Sequence, residues 1–165
     1  MTERRVVITG IGVVSPIGND SKEYWESLST GKNGIGLITA FDPSPFASQI
    51  AGEVTDLDPS NYLDPKILKR MDPFCQFGVV AAKQALDDSG IDLEAEDTNR
   101  IGVYAGSGVG GMQTIEKQHK ILLKKGPRRV SPLLIPMMIV NLLPGQISMI
   151  YNLKGPNIAV LSACA

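Results

Sequence analysis

Gly155-Pro-Asn-Ile-Ala-Val-Leu-Ser-Ala-Cys-Ala165 is the stretch whose reading decides the fold. Gly155-Pro156 reads as a turn, and Asn157 to Ser162 is a short apolar, β-branched run of strand type. Ala163 and Ala165 then flank Cys164. Small neighbours let a strand bend sharply into a helix, and a helix N-terminus directed at the sulfur would favour thiolate over thiol. Such an arrangement makes a cysteine nucleophile for acyl transfer. The activating helix would begin beyond Ala165. The alternative is a buried structural cysteine, and spacing alone leaves both readings open.

Working outward, the run Leu133 to Tyr151 is strongly apolar, but Pro136, Asn141, Pro144, Gly145 and Gln146 interrupt it. A buried helix over Pro136–Tyr151, or an interface, is expected there rather than a membrane span. Gly126-Pro-Arg-Arg129 is a basic turn. Met112 to Lys125 has amphipathic helical spacing and carries His119 among Glu116, Lys117, Gln118 and Lys120. As the single histidine, set on a solvated face, His119 is not expected to be catalytic.

Ile101 to Ala105 reads as a strand that enters Gly106-Ser-Gly-Val-Gly-Gly111, which satisfies GxGxxG between a strand and a helix. A dinucleotide site requires an acidic residue about twenty positions on, at the end of a second strand. Lys124, Lys125, Gly126 and Pro127 stand there instead, which excludes the dinucleotide reading. The glycines then either admit close backbone approach or leave room for an acyl chain. Gly10-Ile-Gly-Val-Val-Ser15, after the apolar run Arg5–Thr9, lacks the third glycine and is weaker still as a nucleotide motif.

Between these motifs, Asp20 or Ser21 caps a helix to about Thr30, with Tyr24, Trp25 and Leu28 on one face. Gly34 to Asp58 reads as an irregular excursion with extended pieces at Ile35–Ile38 and Ile50–Val54. Asp64 or Pro65 opens a helix through Met71 that gathers Lys66, Lys69 and Arg70. A second helix runs from Asp72-Pro73 to Ser89, with a small-residue face and with Cys75 as a core residue. Ile91 to Thr98 is an acidic surface loop.

The bulk properties agree with a folded domain. The chain has 165 residues, 43% of them hydrophobic, enough for one packed domain rather than a disordered segment. Sixteen basic against seventeen acidic residues exclude a broad nucleic-acid surface. Two cysteines are too few for a disulfide framework and suit a reducing compartment, and Met-Thr-Glu-Arg-Arg leads into the first apolar run without a signal peptide's core, so a cytoplasmic location is expected.

Three motifs together, GPNIAVLSACA (155–165), VVITGIGVVSPIGN (6–19) and RIGVYAGSGVGG (100–111), resemble the type II β-ketoacyl-acyl carrier protein synthases, the elongating condensing enzymes of fatty acid synthesis. The resemblance runs from Arg4 to Ala165 and corresponds to the N-terminal part of a longer protein. It implies an α/β, thiolase-like layered αβαβα fold, here its N-terminal half, ending at the nucleophilic Cys164. It implies that Cys164 takes an acyl group from an acyl carrier protein, that malonyl carrier protein supplies two carbons, and that no cofactor or metal takes part. The family's two catalytic histidines and its lysine would lie beyond Ala165, so residues 1–165 alone are expected to be inactive. Val109 resembles a position lining the acyl pocket, and Met138 a position lining it from the neighbouring subunit of a homodimer. Lys66, Lys69, Arg70, Arg128 and Arg129 are the candidate docking face for an acidic carrier protein. Two other readings stay open: a non-catalytic fragment or pairing subunit, against which Cys164 argues, and a thiolase-type enzyme acting on coenzyme A esters.

Overall fold

The computed structural model describes residues 4–162, which form two compact units. One contains the chain up to Asp58 together with Lys83–Gly90, and the other contains Pro59–Ala82 and the chain from Ile91 onward.

In the first unit, helix α1 spans Ser21–Ser29. The Asp20 carboxylate accepts the Glu23 N–H at 2.7 Å, and the Glu23 carboxylate reaches back to the Asn19 N–H at 2.9 Å. Reciprocal bonding of this kind satisfies donors that the helix cannot use internally. Gly31, at φ 71°, ends the helix in the left-handed region that a side chain would disfavour. The expected apolar face of α1 is not buried: Trp25 is 67% and Leu28 50% exposed, and Ser27 is the buried residue. Strands β1 (Ile35–Leu37) and β2 (Ile50–Gly52) then pair antiparallel, Ile35 opposite Gly52 and Leu37 opposite Ile50. Glu53 secures the loop between them by accepting from the Thr39 N–H, the Thr39 hydroxyl and the Ala40 N–H. Those donors favour the charged form, so the Glu53 carboxyl lies below its ordinary range.

The run Arg5–Thr9, read as a strand, pairs with no strand among the described residues, and Val6 and Ile8 are 89% and 86% exposed. A strand exists only through a neighbour's hydrogen bonds, and the local pattern does not supply one. The chain after it is nonetheless fixed, along the last turns of the long helix α3 (Pro73–Ser89). Ile11 N–H donates to Asp88 Oδ2, Val13 N–H donates to Gln84 Oε1, each at 2.9 Å, and Gln84 Nε2 donates to the Asn19 carbonyl at 2.6 Å. Gly10 lies so close to this helix that a Cβ there would stand 2.1 Å from the Ala85 carbonyl oxygen. The first glycine motif thus serves helix packing.

In the second unit, α2 (Pro65–Leu68) is capped by the Asp64 carboxylate, which accepts from the Lys66 N–H at 2.7 Å. Strands β3 (Val103–Ala105) and β4 (Asn157–Ala159) pair in parallel, Val103 opposite Asn157 and Ala105 opposite Ala159. Parallel strands need a crossover, and here it carries α4 (Met112–Lys125), α5 (Leu134–Met138) and α6 (Leu142–Tyr151). The single helix expected over Pro136–Tyr151 is two helices, broken at Ile139, whose ψ of 140° is extended. Pro136 and Pro144 occupy the first turns of α5 and α6, where the missing N–H has no intrahelical partner to lose. A continuous helix would have forced the Pro144 ring against the Val140 carbonyl. The strand expected to reach Ser162 is shorter, ending at Ala159, with one further bond from Val160 N–H to the Ala105 carbonyl at 3.1 Å.

The core of this unit joins Leu63, Met71, Cys75, Val79, Val103, Leu143, Ile147 and Leu153. The small-residue face of α3 is used as expected, because Gly78 receives Leu143 of α6 where a Cβ would stand 2.5 Å from Leu143 Cδ1. We expect Gly10→Ala to lower stability by about 1–3 kcal/mol, since the new methyl meets backbone that cannot step aside. Gly36→Ala, at a position with open space within 4 Å, is the control and should cost nothing. Denaturant midpoints of the two variants decide the comparison.

Candidate functional site

The loop Gly106–Gly111 leaves β3 beside β4 and is held closely at its two ends. A Cβ at Gly106 would lie 2.3 Å from the Val160 carbonyl oxygen, so the loop begins in direct backbone contact with the chain following β4. The Ser107 hydroxyl accepts from the Gly110 N–H at 3.0 Å. Gly110, at φ 81°, passes against the Met138 carbonyl, which accepts from the Gly111 N–H at 2.9 Å. Cβ atoms at Gly110 and Gly111 would each fall 2.4 Å from a carbonyl oxygen, of Met138 and Met137 respectively. Of the two roles open for these glycines, close backbone approach accounts for Gly106, Gly110 and Gly111.

Val109 projects from this loop and is 63% exposed. Met138 ends α5, is half-buried, and lines an apolar cavity of about 230 Å³ with Ile115, Gln118, His119, Leu122, Val130 and Leu134. The loop therefore carries Val109 while being hydrogen-bonded to the backbone of Met138. His119 lies on an exposed stretch of α4 at the edge of this cavity.

Under the end of the loop lies the buried Asp72, in the residue before α3. Its Oδ2 accepts from the Thr114 N–H at 2.8 Å and from the Thr114 hydroxyl at 2.7 Å, and its Oδ1 accepts from the Phe74 N–H at 3.4 Å. Sequence reading placed Asp72 at a helix start but missed its link to Thr114, forty-two residues away. No local pattern encodes that pairing.

The five basic residues Lys66, Lys69, Arg70, Arg128 and Arg129 are all exposed. The first three lie on α2 and the turn after it, and the last two on the single helical turn Pro127–Arg129. The ion pairs among the described residues, Lys83 with Asp87 and Lys120 with Glu116, leave these cations to solvent. Cys164 lies outside the described residues. No group of three or more His, Cys, Asp or Glu side chains among the described residues is arranged to hold a metal ion. No helix among them is long and apolar enough to cross a membrane.

The parallel strand pair, its helical crossover and the glycine loop place the chain in the α/β class of thiolase-like ketosynthase folds. Its backbone matches the ishigamide ketosynthase/chain length factor with a TM-score of 0.88 and 32% identity, over 98% of this chain and 41% of that one. It also matches a type II PKS ketosynthase bound to the hexaketide and in complex with its acyl-carrier protein, with a TM-score of 0.79 and 26% identity, over 98% and 42% of the two chains.

The chain belongs to the beta-ketoacyl synthase family, matching Beta-ketoacyl synthase, N-terminal domain, over residues 3–165. It is 49% identical to 3-oxoacyl-[acyl-carrier-protein] synthase 2 of Coxiella burnetii over 99% of its own length and 40% of the relative's. The proteins of that name from Staphylococcus aureus strain COL and Vibrio harveyi are 48% and 46% identical, over 98% and 99% of this chain. The chain spans about 40% of the length of these relatives.

Cys75 is only 3% exposed, and burial, helped by the nearby Asp72 charge, pushes its thiol up to about 12. Since the thiolate is the reactive form, Cys75 should resist iodoacetamide near neutral pH in the folded protein and react on adding denaturant. Peptide mass mapping before and after denaturation reads this directly, and labelling of Cys75 in the native state would contradict its placement in the core.

Proposed function

We propose that the protein containing this chain elongates fatty acyl chains by decarboxylative Claisen condensation, with Cys164 as its nucleophile. The observation that carries the reading is the stretch GPNIAVLSACA, whose first strand residues form β4 in parallel register with β3, in a chain at 46–49% identity to proteins named 3-oxoacyl-[acyl-carrier-protein] synthase 2. In this reading the Cys164 thiolate attacks the thioester carbonyl of an acyl carrier protein and the carrier's thiol leaves with a proton. Malonyl carrier protein then loses carbon dioxide, and the electron pair of the broken C–C bond becomes the nucleophilic enolate carbon. That carbon attacks the Cys164 thioester, expels the thiolate, and yields 3-oxoacyl carrier protein two carbons longer. Release of carbon dioxide drives the step. The backbone N–H of Cys164 supplies one oxyanion donor, and the remaining catalytic groups come from beyond residue 165.

Val109 and Met138 bound the acyl chain in this reading, Met138 from the neighbouring subunit of a homodimer. The apolar lining around Met138 and the exposure of Val109 on a fixed loop support those roles. The exposed, unneutralised Lys66, Lys69, Arg70, Arg128 and Arg129 receive the acidic carrier protein. A cytoplasmic location follows from the same reading. The alternative of a non-catalytic pairing subunit is weakened by the retained cysteine.

Incubating the full-length protein with acyl carrier protein thioesters should raise its mass by one acyl group, located at Cys164, and Cys164→Ala should abolish both the adduct and the 3-oxoacyl product. An adduct elsewhere, or none with product still formed, would remove the nucleophile assignment. For the docking face, Lys69→Glu combined with Arg129→Glu should raise KM for carrier-linked substrates about tenfold or more, through lost charge complementarity. Pantetheine-linked analogues, which lack the acidic carrier, should be affected far less. Equal losses for both substrate forms would make the patch structural.

A further inference from the structure

Asp72 is a buried carboxylate that the proposed chemistry does not use, and its surroundings are unusual. No cation neutralises it, since neither ion pair among the described residues involves it. Its charge is met instead by the starts of two helices. It directly precedes α3, whose Phe74 N–H it accepts, and it takes the Thr114 N–H from the first turn of α4. Both are N–H groups that a helix leaves without internal partners, at the positive end of each dipole. The Thr114 hydroxyl adds a third donor, at 2.7 Å.

The same carboxylate lies close to the end of the glycine loop. A Cβ on Gly111 would stand 3.2 Å from Asp72 Oδ2 and 2.4 Å from the Met137 carbonyl oxygen, so a side chain at the end of the loop would have no room between Asp72 and α5. Gly111 N–H meanwhile holds the Met138 carbonyl. One buried charge therefore ties the start of α3 to the start of α4, directly beside the end of the loop bearing Val109 and its backbone bond to Met138.

From this geometry we infer that Asp72 and Thr114 are positioning residues for acyl-chain selectivity: their bond holds the Gly106–Gly111 loop against Met138 and thereby sets the space offered to the distal end of the acyl chain. The inference rests on the condensing function proposed above. Neither residue touches substrate. Their effect passes through Gly111 to Val109 and Met138. Displacements of about an ångström at residues that orient a substrate are enough to change rates by as much as a hundredfold.

The test uses the full-length protein and the ratio of kcat/KM for long against short acyl carrier protein thioesters. Thr114→Val keeps the N–H and the side-chain shape but removes the hydroxyl donor, and it should lower the long-to-short ratio about tenfold. Thr114→Ser restores the hydroxyl and should return the ratio to within about twofold of wild type. Val79→Ala, which opens the core of the same unit away from the loop, is the stability control and should lower the melting temperature while leaving the ratio unchanged. If Thr114→Val does not fold, the isosteric Asp72→Asn carries the same test. An unchanged ratio in an otherwise active enzyme, a failure of Thr114→Ser to restore it, or an equal shift in Val79→Ala would overturn the positioning role alone. A wild-type protein that forms no 3-oxoacyl product would overturn the parent function, and this inference with it.

Discussion

A carboxylate taken out of water must find either a cation or a set of aligned donors, because its desolvation is otherwise too costly to sustain. Asp72 takes the second course, and it ties the starts of α3 and α4 together. The donors it needs are at the starts of α3 and α4, which must therefore converge on one point. Thr114 contributes both its N–H and its hydroxyl to a single oxygen, so removal of either partner would leave the other buried and unsatisfied. Around that point the core closes. Met71 and Cys75 flank Asp72 in sequence and are buried with it, and Val79 lies one turn further along the same helix.

Backbone contact without intervening side chains is the second constraint. Gly106 against Val160, Gly110 and Gly111 against Met138 and Met137, and Gly102 and Gly155 against Pro156 and Ile101 all bring main chain within reach of main chain. This packing lets β3 and β4 lie in register while their loops cross the same small volume. It also explains why the sequence carries a motif so close to the dinucleotide fingerprint. Both uses need glycine for close approach, in one case to a pyrophosphate and in the other to a neighbouring carbonyl. The acidic partner of a ribose, absent near Lys124 and Lys125, was the feature that separated them.

Local signals accordingly carried the parts of the fold that are locally determined. The bounds of α1, α3 and α4 were legible because Asp20, Pro73 and Gly126 mark their ends through capping chemistry that acts over three or four residues. The break between α5 and α6 is not, despite Pro136 and Pro144, because an apolar run hides where a helix stops and restarts. The short β4 and Arg5–Thr9, which pairs with no strand among the described residues, fail for a different reason: strand length is set by a neighbour, and a strand's own residues do not name one. Among the candidate site residues, the exposure of the five basic residues follows from their charge. The Asp72–Thr114 bond does not, since no spacing rule relates residues 72 and 114.

Cys75 shows how its surroundings keep a thiol from reacting. Cys75 sits in the first turn of α3, a position whose dipole ordinarily favours thiolate. Burial and the adjacent Asp72 charge outweigh that dipole and drive the thiol up to about 12. A helix N-terminus is therefore insufficient to make a nucleophile when the sulfur is buried and a carboxylate stands beside it. In the reading proposed for Cys164, the flanking alanines in Ser162-Ala-Cys-Ala165 bring no charge of their own. Burial first, and the Asp72 charge second, thus keep Cys75 a structural thiol at a helix start that would otherwise favour its ionisation.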